Sequence, residues 1–160
     1  MTDVIDLQPV LEFLSDLRAN NDRAWFDAHR AAYEAARQRF EALVDLLIDE
    51  VGAFEDLAGL TAADCVFRIY RDVRFSKDKS PYKTYMGAHI MPGGKKSPRM
   101  GYYLHLEPDD GSLIAGGLHT PPPEQIARFR AAIDREPDVF KAIVGSEEFR
   151  RTSAPLTASG

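Results

Sequence analysis

DCVFRIYRDVRFSKDKSPYKT, residues 64–84, is the stretch where the pattern of the chain changes. Cys65, Phe67, Ile69, Val73 and Phe75 alternate with Val66, Arg68, Tyr70, Asp72 and Arg74. A period of two sends successive side chains to opposite faces, as a strand does. The alternation predicts a strand from about Asp64 to Phe75, then a loop over Ser76–Thr84 that contains Ser80-Pro81. The same stretch gathers Arg68, Arg71, Arg74, Lys77, Lys79 and Lys83.

Upstream the period is helical. Leu7, Val10, Leu11, Leu14 and Leu17 predict a short first helix. Asn20-Asn21-Asp22 supplies turn and N-cap chemistry. Phe26, His29, Tyr33, Ala36, Phe40, Leu43, Leu47 and Val51 then draw one apolar stripe along a long helix, roughly Asp22 to Val51. Downstream, Tyr85–Met91, Met100–Glu107 and Ser112–His119 read as three further strands with short connections. Short connections require antiparallel neighbours, because parallel strands need a long crossover. Thr120 and three prolines restart helix, with Ile126, Phe129 and Ile133 marking its inner face, and a last short helix is expected from Pro137 to Val144. The expected class is α+β: a helical pair, a mostly antiparallel sheet of four strands, and C-terminal helices. One domain is expected over residues 1–150, with 151–160 a frayed tail or a truncation point.

Bulk properties narrow the function. The chain has 160 residues, 44% hydrophobic and 28% charged, the composition of a globular protein with a core. It contains no apolar run of about 18 residues, so no membrane span is expected. MTDVIDLQPV lacks the basic and apolar regions of a secretory leader. A single cysteine, Cys65, rules out an internal disulfide and a multi-cysteine zinc site, and a cytoplasmic location is expected. Net charge is −5, yet residues 68–99 hold nine Lys/Arg against two acids, leaving 11 basic and 23 acidic residues elsewhere. A basic island on an acidic body suits a local anion site or an acidic partner, and DNA is not expected as one.

Arg71 shares the apolar face of the predicted strand, where a guanidinium must find an acid, carbonyls or a bound anion. An internal ion pair, a bulge turning it outward and a ligand all satisfy that demand. Arg68, Tyr70, Asp72 and Arg74 form the other face, either a solvated face of alternating charge or forks for phosphate or carboxylate. Lys77, Lys79 and Lys83, interleaved with hydroxyls and turn backbone, suit an anion-binding loop and equally an ordinary soluble one. Tyr70, Tyr82 and Tyr85 stack on a ligand or pack the core.

Other motifs are weak. Gly93-Gly94-Lys95-Lys96-Ser97 lacks the spacing of a P-loop and reads as a basic hairpin turn. His29 reads as a hydrogen-bonded core histidine. His105, close in sequence to Glu107, Asp109 and Asp110, is the default acid/base candidate. Cys65 reads as a buried small hydrophobe. Gly116-Gly117 marks a bulge, a pocket floor or room for the long helix. No metal site and no cofactor are expected.

Three blocks carry a family resemblance: Phe13-Leu14 with Asn20-Asn21-Asp22-Arg23-Ala24-Trp25-Phe26, the long run Cys65–Thr84, and Gly101-Tyr102-Tyr103-Leu104-His105-Leu106-Glu107-Pro108. Together they resemble the DUF2461 family from about residue 11 to about residue 150. The resemblance implies a soluble, cytoplasmic-type domain whose motif includes the basic stretch, and it carries over no catalytic set. It also implies a further basic, Gly/Pro-containing segment beyond the point where this chain stops.

The leading expectation is a domain that binds an anionic small molecule. Arg71 and Arg74 serve as forks and Lys77, Lys79 and Lys83 as point charges, with Arg68 also among the ligand-binding residues. Tyr70, Asp72 and His105 are the acid/base groups at hand if chemistry follows. The alternatives are a module docking an acidic protein or RNA, and a purely structural role in which the arginines pair with the acidic helices.

Overall fold

Pro9 opens α1 (Gln8–Ala19), where its missing N–H costs nothing. In the computed structural model, which describes residues 5–117 and 121–152, Val10, Phe13, Leu14 and Leu17 of this helix are buried. Asp22 caps α2 (Arg23–Ala28), accepting from the Trp25 N–H at 2.9 Å. The long helix of the sequence reading is broken: α2 ends at His29 (φ −109°, ψ 21°), and α3 runs Arg30–Gly52. His29 is exposed and not in the core, because its ring faces back along the chain, bonding the Trp25 carbonyl at 2.8 Å and stacking on the Trp25 indole at 4.0 Å. Tyr33, Ala36, Phe40, Val44 and Ile48 form the buried stripe of α3, with Leu43, Leu47 and Val51 flanking it.

The strand expected over 64–75 does not form. Asp64 and Cys65 close a one-turn helix, α4 (Ala62–Cys65), capped by reciprocal bonds between Thr61 and Asp64. Residues 66–71 form no strand: they bend at Ile69 and hold two isolated antiparallel bridges, Val66 to Ala88 and Tyr70 to Tyr82. Four residue steps, 66 to 70, thus face six, 82 to 88, so no continuous ladder can form. Beyond Arg71 the ladder also meets Pro81, whose carbonyl accepts from the Arg71 N–H at 2.9 Å but which has no N–H to return. Phe75 consequently lies in a loop and is 98% exposed.

Among the described residues the sheet has three strands in the order β1 (Met86–Ile90), β2 (Gly101–Leu106), β3 (Leu113–Gly117), all antiparallel. The fold is α+β, with three strands among the described residues where four were expected. Met86, Ala88, Ile90, Leu104 and Leu106 face the core formed with α1 and α3. Tyr103 and His105 alternate with them and point to the other face. Gly116 and Gly117 line a cavity of about 180 Å³ with Leu57, Met91 and Tyr102, the pocket-floor alternative of the sequence reading.

The chain divides into two compact units, Met1–His119 and Thr120–Gly160. Within the second, α5 (Pro123–Arg135), α6 (Pro137–Gly145) and α7 (Glu147–Thr152) follow one another. The expected inner face is not enclosed: Phe129 and Ile126 are exposed and Ile133 half-buried, since three helices of 13, 9 and 6 residues have little apolar area to close over. Leu118 and His119 of the expected fourth strand, Thr120 at the expected restart of helix, and residues 153–160 of the tail lie outside the described residues.

Candidate functional site: a basic groove beside a self-neutralised loop

Tyr82 anchors the basic stretch. Its ring is buried and stacks on Phe26 of α2 at 4.0 Å between centroids. Its backbone N–H and carbonyl both bond the side-chain amide of Asn21, at 3.1 and 3.0 Å. Burying a large aromatic side chain contributes roughly 1.5–3 kcal/mol, so this contact fixes the end of the loop against the helices.

Between Arg71 and Ser80 the loop neutralises itself. Arg71 Nη1 donates to Asp78 Oδ2 and to the Ser80 carbonyl (3.2 Å), and Nη2 donates to Ser76 Oγ (3.4 Å). Asp78 Oδ1 accepts from the Ser80 N–H at 2.9 Å and hydroxyl at 2.6 Å. The Ser80 bonds, with Arg71 added, hold the Asp78 carboxyl down to about 2. Arg74 forks onto Asp72 through Nε at 2.9 Å and Nη2 at 2.6 Å, which lowers the Asp72 carboxyl. Lys79 Nζ donates to the Val73 carbonyl at 3.0 Å, and Lys77 is exposed and makes no ion pair among the described residues, since its neighbour Asp78 pairs with Arg71. The partners of Arg71 and Arg74 therefore come from the loop, not from the acidic helices. An open cleft of about 670 Å³ beside the loop has Arg18, Arg71 and Lys83 on its walls, and Asp72 and Asp78 among them.

Arg68 goes elsewhere. It lies between the two mismatched bridges and lines a groove of about 460 Å³ with Arg37, Lys95, Lys96, Tyr33, Phe67 and Tyr70. The Arg68 carbonyl, left without a ladder partner, accepts from Lys83 Nζ at 2.8 Å. That ammonium lies over the Phe67 and Tyr85 rings at 5.6 and 5.9 Å, and burial first, then Arg68, lowers its pKa. Lys95 and Lys96 arrive from the Gly93-Gly94 turn. Gly94 has φ +74°, and a Cβ there would stand 3.0 Å from the Asp64 carbonyl, so only glycine lets the turn lie against α4. Lys95 then bonds back through its N–H to Asp64 (3.0 Å) and through Nζ to the Ala63 carbonyl (2.7 Å). Arg37 is braced by Glu41 at 2.8 Å. No carboxylate lines this groove among the described residues.

The three acid/base candidates are not brought together. Tyr70 is 44% exposed on the groove wall. Asp72 lies in the cleft, held by Arg74. His105 stands on the outer face of β2, its ring stacked on Tyr85 at 4.2 Å and bonded to Tyr103 and Glu107. Cys65 is fully buried, and burial pushes its thiol up to about 11, as befits a core residue. The sequence reading did not single out Arg37, Lys95 and Lys96 as site residues. Nor did it single out Tyr103, although its spacing of two from His105 along a strand was visible. No cluster of three or more metal-ligating side chains occurs among the described residues, and no helix there is long and apolar enough to cross a membrane.

No curated protein and no solved structure matches the chain. The family model described as conserved hypothetical protein (DUF2461) matches residues 9–159. That match covers the helices, the sheet and the basic stretch together, and the chain belongs to the DUF2461 family.

Proposed function

We propose that this domain binds an anionic, phosphate- or carboxylate-bearing ligand in the groove of Arg37, Arg68, Lys95 and Lys96. The observation that carries the reading is the charge of that groove: four cations and three aromatic side chains line it, with no carboxylate among the described residues. Arg68 is the member of the basic stretch best placed to serve, because Arg71 and Arg74 already have carboxylate partners that a ligand would have to displace. Arginine matches phosphate or carboxylate with two parallel bonds, lysine adds point charge, and Tyr33, Phe67 and Tyr70 offer faces to a flat ligand.

Thermal shift with inorganic phosphate, pyrophosphate and nucleoside monophosphates tests it. A ligand at a hundredfold its Kd stabilises the native state by about 2.7 kcal/mol, a rise of several degrees in Tm. The expected result is such a rise for at least one anion, lost in Arg68→Ala. No rise for any anion, or an equal rise in Arg68→Ala, would overturn it. An RNA or acidic-protein partner using the same cations would instead show affinity falling steeply with salt.

A further inference from the structure

The outer face of β2 carries a second constellation that does not depend on the groove. Tyr103 and His105, two residues apart on the strand, place their side chains on one face, and Glu107 follows two residues beyond. Tyr103 Oη lies 2.8 Å from His105 Nδ1, and His105 Nε2 lies 2.9 Å from Glu107 Oε2. A carboxylate only accepts, so neutral His105 carries its proton on Nε2 and leaves Nδ1 to accept from the Tyr103 hydroxyl. The other oxygen of Glu107 is held by Arg18 Nη2 at 2.9 Å, with Thr84 Oγ1 at 3.4 Å, and Arg18 is itself fastened to Asp109 at 2.8 Å. Tyr85 stacks on the imidazole face while Tyr103 and Glu107 hold its two nitrogens, so the ring is fixed in orientation.

The hydroxyl packs over a residue without a side chain. Gly87 of β1 is the register partner of His105, and a Cβ there would stand 3.2 Å from Tyr103 Oη and 3.5 Å from the Phe67 ring. Tyr103 is only partly buried.

We propose that Tyr103, His105 and Glu107 form a hydroxyl–imidazole–carboxylate array in which the Tyr103 phenol is a nucleophile toward activated acyl esters. A hydroxyl, a base that accepts its proton and a carboxylate that orients the base define such an array by geometry and role, whatever the fold. In the step, the phenol oxygen bonds to the acyl carbon and the ester C–O bond breaks. The leaving alkoxide or phenoxide departs with that electron pair, and the Tyr103 proton passes to His105 Nδ1. The resulting imidazolium is held by Glu107 through Nε2–H. Tyr103 is the reacting group, His105 the base and Glu107 a positioning residue.

The test treats the whole chain with p-nitrophenyl acetate and locates the acetyl group by peptide mass spectrometry. Tyr103 is expected to be acetylated at least tenfold faster than its strand neighbour Tyr102. A positioned base contributes roughly 10²–10⁴-fold, so His105→Gln is expected to slow acetylation of Tyr103 by about 100-fold, and Glu107→Gln by less. Acetylation of Tyr103 no faster than Tyr102 in the unaltered chain would overturn the proposal and requires no variant. An unchanged rate in folded His105→Gln would also overturn it, since exposure alone would then explain the reaction. Neither result bears on the groove, which anion binding tests separately.

Discussion

The side-chain amide of Asn21 pairs with the backbone of Tyr82 in both directions, donating to its carbonyl at 3.0 Å and accepting from its N–H at 3.1 Å. One amide thus does for Tyr82 what a neighbouring strand residue would do. Asn21→Ala leaves a half-buried N–H and carbonyl unpaired, each worth on the order of 1–3 kcal/mol, and is expected to cost about 2 kcal/mol in urea unfolding. Asn21→Asp retains an acceptor for the N–H but has no donor for the carbonyl, and is expected to lie between.

Asp78 ties the loop together and gives it a pH dependence with a definite sign. Its folded pKa, about 2, lies below the unfolded value of about 3.9, so its contribution is present above pH 4 and is lost as pH falls through about 2. Carboxyl NMR titration is expected to place Asp78 near the foot of the acidic range. Ser80→Ala, which removes the hydroxyl bond, is expected to raise that value; an unmoved titration would contradict the turn geometry.

Gly94 is expected to tolerate no side chain. With φ +74° and a Cβ 3.0 Å from the Asp64 carbonyl, Gly94→Ala adds backbone strain of roughly 1–2 kcal/mol to a clash with backbone. Destabilisation of about 2 kcal/mol or more by urea titration is expected, together with weaker anion binding, because the turn also delivers Lys95 and Lys96.

The helices and hairpins were legible because their signals are local. Asp22 before Trp25 is a cap, and apolar residues at three- and four-residue steps make a buried stripe. The stretch 64–75 was not legible, although its alternation is clear. Strand pairing depends on the partner, and the partner runs six steps against four and carries Pro81. The break at His29 has the same character, since nothing in the apolar stripe announces that the ring will fold back on Trp25. For the site, charge density drew attention to Arg71 and Arg74, but acids two and seven residues away, Asp72 and Asp78, take up those charges. Arg37, Lys95 and Lys96 come from distant positions: α3 presents Arg37, and the docking of the Gly94 turn on α4 brings Lys95 and Lys96 to Arg68.

The most direct measurement of the central claim is a ¹⁵N-resolved NMR titration of the whole chain with inorganic pyrophosphate. Shift changes are expected to centre on Phe67, Arg68, Tyr70, Lys95 and Lys96, to saturate, and to vanish in Arg68→Ala with Lys96→Ala. Changes confined to the loop between Arg71 and Ser80, or no saturable change anywhere, would contradict the assignment of the groove.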